Sequence, residues 1–160
     1  MALTETFLDA SVKAPTLLLG YVLIGRRDRG GLRQKGGILL FARQEFAKNV
    51  VCCATSEVAE RLWAVVHTDI GPVLFGVWYR PPCHGEVASI KSFGEELGLH
   101  KDGKLGVIVC GDMNAHHKEW LQFSQRTSPE GRALFDVCCI HYLRECIKKP
   151  TRGPNLLDLT

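Results

Sequence analysis

The stretch Arg61-Leu62-Trp63-Ala64-Val65-Val66-His67 has the length of one β-strand and is apolar on both of its faces. Successive side chains of a strand point to opposite faces, so a strand of this kind is covered on both sides by other elements. Four further runs of strand length are bounded by glycine, proline or charged residues: Leu17–Ile24, Gly37–Ala42, Asn49–Ala54 and Val73–Trp78. Together these runs predict a layered α/β fold.

Two helices and a sixth strand are predicted in the second half of the chain. The first helix is indicated by apolar residues at helical spacing, Val87, Ile90, Phe93 and Leu97. Ser128-Pro129 marks the start of the second helix. Between them, the β-rich run Leu105–Cys110 ends at Gly111-Asp112-Met113-Asn114. An acid and an amide therefore follow a buried strand, where site residues of layered α/β folds commonly lie.

Size and composition predict a single domain over residues 1–160. The chain is 46% hydrophobic and 23% charged, as is ordinary for a globular protein. A chain of this length buries roughly 70% of the surface that its unfolded form exposes, which is enough for one core. No second domain is expected.

The net charge of +3 is too small to indicate nucleic-acid binding by bulk electrostatics. The segment from Arg26 to Lys35 is locally basic, with five cations against Asp28. It has two interpretations: a contact to a nucleic-acid backbone, or a solvated loop beside a sheet edge. Taken alone, the segment favours the solvated loop.

The cysteines and the N-terminus indicate a reducing compartment and no membrane. Seven cysteines occur without a CxxC pair, and two adjacent pairs lie in apolar runs, so we expect free thiols and no zinc. The N-terminus does not resemble a signal peptide, and the run Leu17–Ile24 is too short to span a bilayer.

Three acids and one amide are candidates for chemistry. Gly111-Asp112-Met113-Asn114 is a turn sequence, while Glu5 and Asp158 each stand among apolar neighbours. Carboxylates with an asparagine suit a hard cation such as Mg²⁺, which leaves positions open for a phosphate. The competing interpretation is a turn, a helix cap and a surface acid. Spacing alone favours that second interpretation.

A series of short motifs, in order along the chain, resembles a known family. The motifs are Thr4-Glu5-Thr6-Phe7-Leu8-Asp9, Gly20-Tyr21, Arg27-Asp28-Arg29, Gly36-Gly37, Trp78-Tyr79-Arg80-Pro81-Pro82, Gly111-Asp112-Met113-Asn114-Ala115-His116-His117 with Trp120, Pro150-Thr151-Arg152 and Leu157-Asp158-Leu159-Thr160. They resemble the endonuclease domain of non-LTR retrotransposons, within the endonuclease/exonuclease/phosphatase superfamily. The resemblance implies two packed mixed β-sheets flanked by helices, and a DNA substrate.

The resemblance also implies a role for each matched residue. Glu5 holds the catalytic Mg²⁺, for which Mn²⁺ can substitute, and Asp158 supports the metal or the hydrogen-bond network around it. Asp112 orients or deprotonates the attacking water, while Asn114 and Tyr79 contact the scissile phosphate. Arg80 and His116 are added as substrate-binding residues. His116 and His117 lie in the loop after the turn, which favours a structural or substrate-facing role over replacement of the family's catalytic histidine.

Two further expectations concern the ends of the family domain. A first strand with a metal-binding asparagine and a last strand ending in Ser-Asp-His have no counterpart in the sequence, so we expect missing terminal strands and impaired activity. The resemblance implies a reverse transcriptase domain in the full-length element and, from the substrate, a nuclear location. A catalytically inactive remnant of a mobile element and a phosphatase of the same superfamily are the alternatives.

Overall fold

The computed structural model describes residues 1–12, 18–29 and 35–149, together with the backbone of residues 158–159. These residues divide into two compact units. The first contains Met1–Tyr79 and Gly103–Gly111, and the second contains Arg80–Asp102 and the chain from Asp112 onward. The single-domain organisation of the whole chain stays a prediction.

The first unit is built from two β-sheets. Strand β1 (Ala2–Thr4) and β2 (Tyr21–Arg27) pair with opposite edges of β3 (Ile38–Arg43), and both pairings are antiparallel. The second sheet has the order β4-β5-β6-β7, in which only β6 and β7 are parallel. Its strands are β4 (Val50–Thr55), β5 (Glu60–Thr68), β6 (Gly71–Tyr79) and β7 (Gly106–Asp112), and a short 3-10 helix (Ala47–Asn49) precedes β4.

The two sheets pack face to face around an apolar core. Ile38 and Leu40 of β3 meet Leu62 and Ala64 of β5, together with Val77 of β6, and all five are buried. Burial of apolar surface stabilises a fold by about 25 cal/mol per Å². The predicted α/β class and its two-sheet sandwich are confirmed. One sheet is mixed and the other is antiparallel among the described residues.

Two details of the strand prediction were wrong. In the predicted run Leu17–Ile24, of which residue 17 lies outside the described residues, the strand begins only at Tyr21, because Gly20 at φ +80° makes a turn in front of it. Strand β4 is not covered on both faces: its residues alternate between half-buried and exposed, and Val51 is 52% exposed. Within the described part of the second sheet, β4 lies at the edge, where fewer neighbours cover it.

Only part of the described basic segment is a solvated loop: Lys35 is exposed outside any strand, whereas the arginines at the start of the segment are bound by other residues. Arg26 and Arg27 belong to β2, and Arg26 binds Asp28 through Nε at 2.8 Å. Arg29 forms an ion pair with Glu60. These cations are held by the protein itself, while residues 30–34 of the segment lie outside the described residues.

The second unit contains both helices. Helix α1 (Ala88–His100) buries Ile90, Phe93 and Leu97, as the spacing predicts. Helix α2 (Pro129–Ile140) begins after Ser128, and the two-residue strand β8 (Asp158–Leu159) lies farther along the chain. No helix among the described residues is long and apolar enough to cross a membrane.

Ser128 is expected to contribute measurably to stability as the cap of α2. Its Oγ accepts a hydrogen bond of 3.1 Å from the backbone nitrogen of Gly131. We expect Ser128→Ala to lower the free energy of unfolding by about 1 kcal/mol, because a helix-end donor loses its partner. Urea denaturation checks this value. Ser124→Ala, at a half-buried serine in the preceding loop, serves as the control, and an equal loss there would contradict the capping role.

Candidate active site

Glu5 and Tyr79 meet in the first unit although they lie 74 positions apart. The hydroxyl of Tyr79, the last residue of β6, donates a hydrogen bond of 2.8 Å to Oε1 of Glu5. Tyr79 is buried, whereas Glu5 follows β1 and is exposed. The second carboxylate oxygen of Glu5 makes no hydrogen bond to any described residue. One carboxylate oxygen is thus fixed by Tyr79.

A half-buried arginine and a buried glutamate lie beside Tyr79. The guanidinium of Arg29 lies 5.6 Å from the ring centre of Tyr79 and binds the carboxylate of Glu60. Glu60 also accepts a hydrogen bond from the backbone nitrogen of Gly37. Glu60 was not predicted as a site residue. The available signal was an acid placed directly before the buried strand Arg61–His67, where an ionised group requires a partner.

Asp112 and Asn114 form a second group, in the second unit. Oδ1 of Asp112 accepts a hydrogen bond of 3.1 Å from the backbone nitrogen of Asn114. The amide of Asn114 donates from Nδ2 to the carbonyl oxygen of Arg80 at 2.9 Å. Asn114 adopts a φ of +44°, in the left-handed region that asparagine tolerates better than most residues. The turn therefore presents a carboxylate and an amide in a fixed arrangement.

Arg80 is buried beneath this turn, at 1% exposure. Its guanidinium donates hydrogen bonds to three backbone carbonyl oxygens: that of Glu86, that of Cys83 at 2.9 Å and that of Asn114 at 3.4 Å. It also forms an ion pair with the side-chain carboxylate of Glu86 at 3.4 Å. Burial raises the pKa of Glu86, but hydrogen bonds from Ser89 and the charge of Arg80 outweigh it and lower the pKa overall. The geometry favours positioning of the Asn114 turn over direct contact with a substrate.

The two histidines after the turn differ in their surroundings. His117 is buried, stacks against Phe135 at 4.8 Å between ring centres and accepts a hydrogen bond from the backbone of Trp120. These contacts are structural. His116 is half-buried, and its pKa is lowered by burial and by the charge of Arg126, against the opposing effect of Glu130. Its predicted substrate contact stays a prediction.

Glu5 is the predicted metal ligand whose side chain the structure describes. Among the described residues, no group of three histidine, cysteine or acidic side chains is arranged to hold a metal. Mg²⁺ retains several waters and is commonly bound through one or two carboxylates together with substrate phosphates, so Glu5 is a candidate for one such ligand. The side chain of Asp158, the other predicted ligand, lies outside the described residues, and its role stays a prediction.

Comparison with known proteins identifies the family. The sequence pattern of the family "Endonuclease-reverse transcriptase" matches residues 73–160, more than half of the chain. The chain belongs to this family. The matched segment includes Tyr79, Asp112, Asn114 and Asp158, whereas Glu5 lies before it.

One sequence relative and one solved structure are similar to longer parts of this endonuclease-reverse transcriptase family member than the family pattern covers. The chain is 30% identical over 120 residues to the probable RNA-directed DNA polymerase from transposon X-element of Drosophila melanogaster. That match covers 75% of the chain but 12% of the relative. The fold is similar to the endonuclease domain of TRAS1, a telomere-specific non-LTR retrotransposon, with a TM-score of 0.65. This likeness covers 89% of the chain and 66% of that domain at 16% identity, so it supports the fold alone.

Proposed function

We propose that this chain is a Mg²⁺-dependent DNA endonuclease domain of a non-LTR retrotransposon, which nicks target DNA by hydrolysing one phosphodiester bond. The observation that carries the proposal is the hydrogen bond between Tyr79 and Glu5. Two residues that the resemblance assigns to phosphate and metal are neighbours in space, and no local pattern of the sequence requires that. The family match over residues 73–160, the range that contains Tyr79, Asp112 and Asn114, supports the same function.

In this proposal each residue contributes a separate interaction. Glu5 and Asp158 would hold the cation, with Mn²⁺ able to replace Mg²⁺, and the bound cation would polarise the phosphoryl oxygens and stabilise the leaving 3′ oxygen. Asp112 orients the attacking water and accepts its proton. The amide of Asn114 donates a hydrogen bond to the scissile phosphate, where charge develops in the transition state. Tyr79 has one hydroxyl proton, which Glu5 accepts in this structure, and it would donate to the phosphate once the bound substrate takes the place of Glu5 as acceptor.

The biological setting is part of the same proposal. Hydrolysis would leave a 3′-hydroxyl and a 5′-phosphate, and the 3′-hydroxyl would prime a reverse transcriptase domain of the element. Encounter with chromosomal DNA would take place in the nucleus. Arg80 would act through the turn that it holds, whereas His116 would contact the DNA directly.

The first test is nicking of supercoiled plasmid by wild type and by Asp112→Asn, each with Mg²⁺ or EDTA. We expect nicking in Mg²⁺ only, and a rate about 10² to 10⁴ lower in the variant, because a positioned proton acceptor is lost. Asparagine keeps the oxygen that accepts the backbone hydrogen bond of Asn114, so the turn is preserved. This separates loss of chemistry from loss of structure.

Asp136→Asn is the matched control, because Asp136 is an exposed acid of α2 in the same unit. Its nicking rate should equal that of wild type. Equal nicking by wild type and Asp112→Asn would contradict the assigned role of Asp112. Binding of the plasmid without cleavage by folded wild type would instead support the inactive remnant.

A further inference from the structure

We propose that Glu60 is a positioning residue for Glu5, acting through Arg29 and Tyr79 and, independently, through the backbone of Gly36-Gly37. This inference rests on the proposed function, in which Glu5 holds the cation. The family resemblance assigns no role to Glu60. It lies at the start of β5, directly opposite Tyr79 in the pairing of β5 with β6.

The first connection runs through side chains. Nε of Arg29 donates to Oε1 of Glu60, and Nη2 of Arg29 contacts the same oxygen without hydrogen-bond geometry. The guanidinium lies 5.6 Å from the ring centre of Tyr79, within range of a cation–π interaction. Because Tyr79 donates to Glu5 at 2.8 Å, the position of the ring also sets the position of the carboxylate.

The second connection runs through the backbone. Oε2 of Glu60 accepts a hydrogen bond from the nitrogen of Gly37. The carbonyl oxygens of Gly37 and Gly36 accept hydrogen bonds from the nitrogens of Thr6 at 3.3 Å and Phe7 at 2.8 Å. Each oxygen of the Glu60 carboxylate thus serves one of the two connections, and both lead to the segment that carries Glu5.

The segment around Glu5 needs this support because its backbone is strained. Glu5 and Phe7 both adopt a φ of +52°, in the left-handed region that non-glycine residues rarely occupy. Such conformations persist where surrounding contacts determine them, and they concentrate at functional sites. The glycine pair fits closely around Glu60: a Cβ added at Gly36 would lie 2.6 Å from Oε2 of Glu60.

The readout that is independent of activity is the ¹⁹F NMR spectrum of protein labelled with 3-fluorotyrosine. The chain has three tyrosines, so Tyr79→Phe assigns the resonance of Tyr79 by its disappearance. We expect Glu60→Gln and Arg29→Met to shift this resonance. Arg29→Lys keeps the charge above the ring and should restore the resonance toward its wild-type position, which a general loss of packing would not do.

The second readout is binding of Mn²⁺ alone, followed by electron paramagnetic resonance. Groups that orient a metal ligand typically contribute about 10- to 100-fold in metal affinity or activity, and we expect Glu60→Gln to weaken Mn²⁺ binding and slow plasmid nicking by this factor. Glu45→Gln is the matched control, since Glu45 forms an exposed ion pair with Arg43 at 3.2 Å in the same unit. It should leave both measurements unchanged.

The outcomes separate this inference from the proposed function. An unshifted Tyr79 resonance in both Glu60→Gln and Arg29→Met would overturn the positioning role, whatever the activity. Equal Mn²⁺ affinity in wild type and Glu60→Gln would overturn it as well. Failure of wild type to nick DNA or bind Mn²⁺ would overturn the proposed function, and the Tyr79 resonance would then still decide whether Glu60 positions Tyr79.

Discussion

Gly111→Ala is expected to lower the free energy of unfolding by about 2 to 6 kcal/mol. A Cβ at this position would lie 1.9 Å from the carbonyl oxygen of Trp78, which is backbone and cannot move aside. Overpacking of this kind costs roughly 1 to 3 kcal/mol, and a φ of +142° adds strain of roughly 1 to 3 kcal/mol for any residue with a side chain. Small domains are stable by only about 5 to 15 kcal/mol, so the variant should be severely destabilised.

Urea denaturation followed by tryptophan fluorescence measures this loss, and Gly106→Ala is the matched control. Gly106 begins the same strand, β7, but a Cβ added there would meet nothing within 4 Å. We expect its free energy of unfolding to change by less than about 0.5 kcal/mol. Similar stabilities for the two variants would show that β7 does not pass so close to the backbone of Trp78.

Gly131→Ala is the second substitution with a large expected effect, at about 2 kcal/mol or more. A Cβ at Gly131 would lie 1.8 Å from the carbonyl oxygen of His116 and 2.5 Å from its carbonyl carbon. The first turn of α2 and the loop after Asn114 are in direct contact here, and the same carbonyl accepts a hydrogen bond of 2.9 Å from the nitrogen of Ser128. The higher helix propensity of alanine adds about 1 kcal/mol to the free energy of unfolding, which offsets only part of the loss caused by overpacking.

The control for this substitution is Gly98→Ala in α1, within the same unit. The nearest atom to a Cβ at Gly98 is Cε1 of His141, at an ordinary contact distance of 3.9 Å. We expect this variant to be more stable than wild type by about 0.5 to 1 kcal/mol, from helix propensity alone. Gly131→Ala should therefore lower the urea midpoint of unfolding, and Gly98→Ala should raise it. A midpoint for Gly131→Ala equal to or above that of wild type would contradict the contact with His116.

Much of the fold could be predicted because each element has a strong local signal. The strands Ile38–Arg43, Glu60–Thr68 and Gly71–Tyr79 lie within one to two residues of the apolar runs that predicted them. Strand β1 was not predicted, because three residues carry too little pattern. The exposed face of β4 was predicted as covered, since an apolar run does not show whether its strand is central or at an edge.

The sequence predicted the local contacts of the candidate site but not the contacts between distant segments. Asp112 and Asn114 are close in the sequence, so a turn brings them together without any information from the rest of the fold. Arg80 was predicted to contact substrate, but it is buried and bound to backbone carbonyls, which depends on the path of the loop at residues 83–86. Glu60 was not predicted as a neighbour of Tyr79, because the register of the β5–β6 pairing places it there. Arg29 was not predicted as a neighbour either, because it follows β2 and is far from Tyr79 in the sequence.

The sequence by itself determined the α/β class, six strands, both helices and, through the order of its motifs, the endonuclease-reverse transcriptase family. These properties depend on local periodicity, on turn residues and on motif order, all of which are present in the unfolded chain. Only the tertiary structure decided that Tyr79 binds Glu5, that Glu60 bonds to both Arg29 and Gly37, and that Arg80 is enclosed. Such contacts depend on strand order and register, which arise when distant segments pack together and which no local pattern specifies.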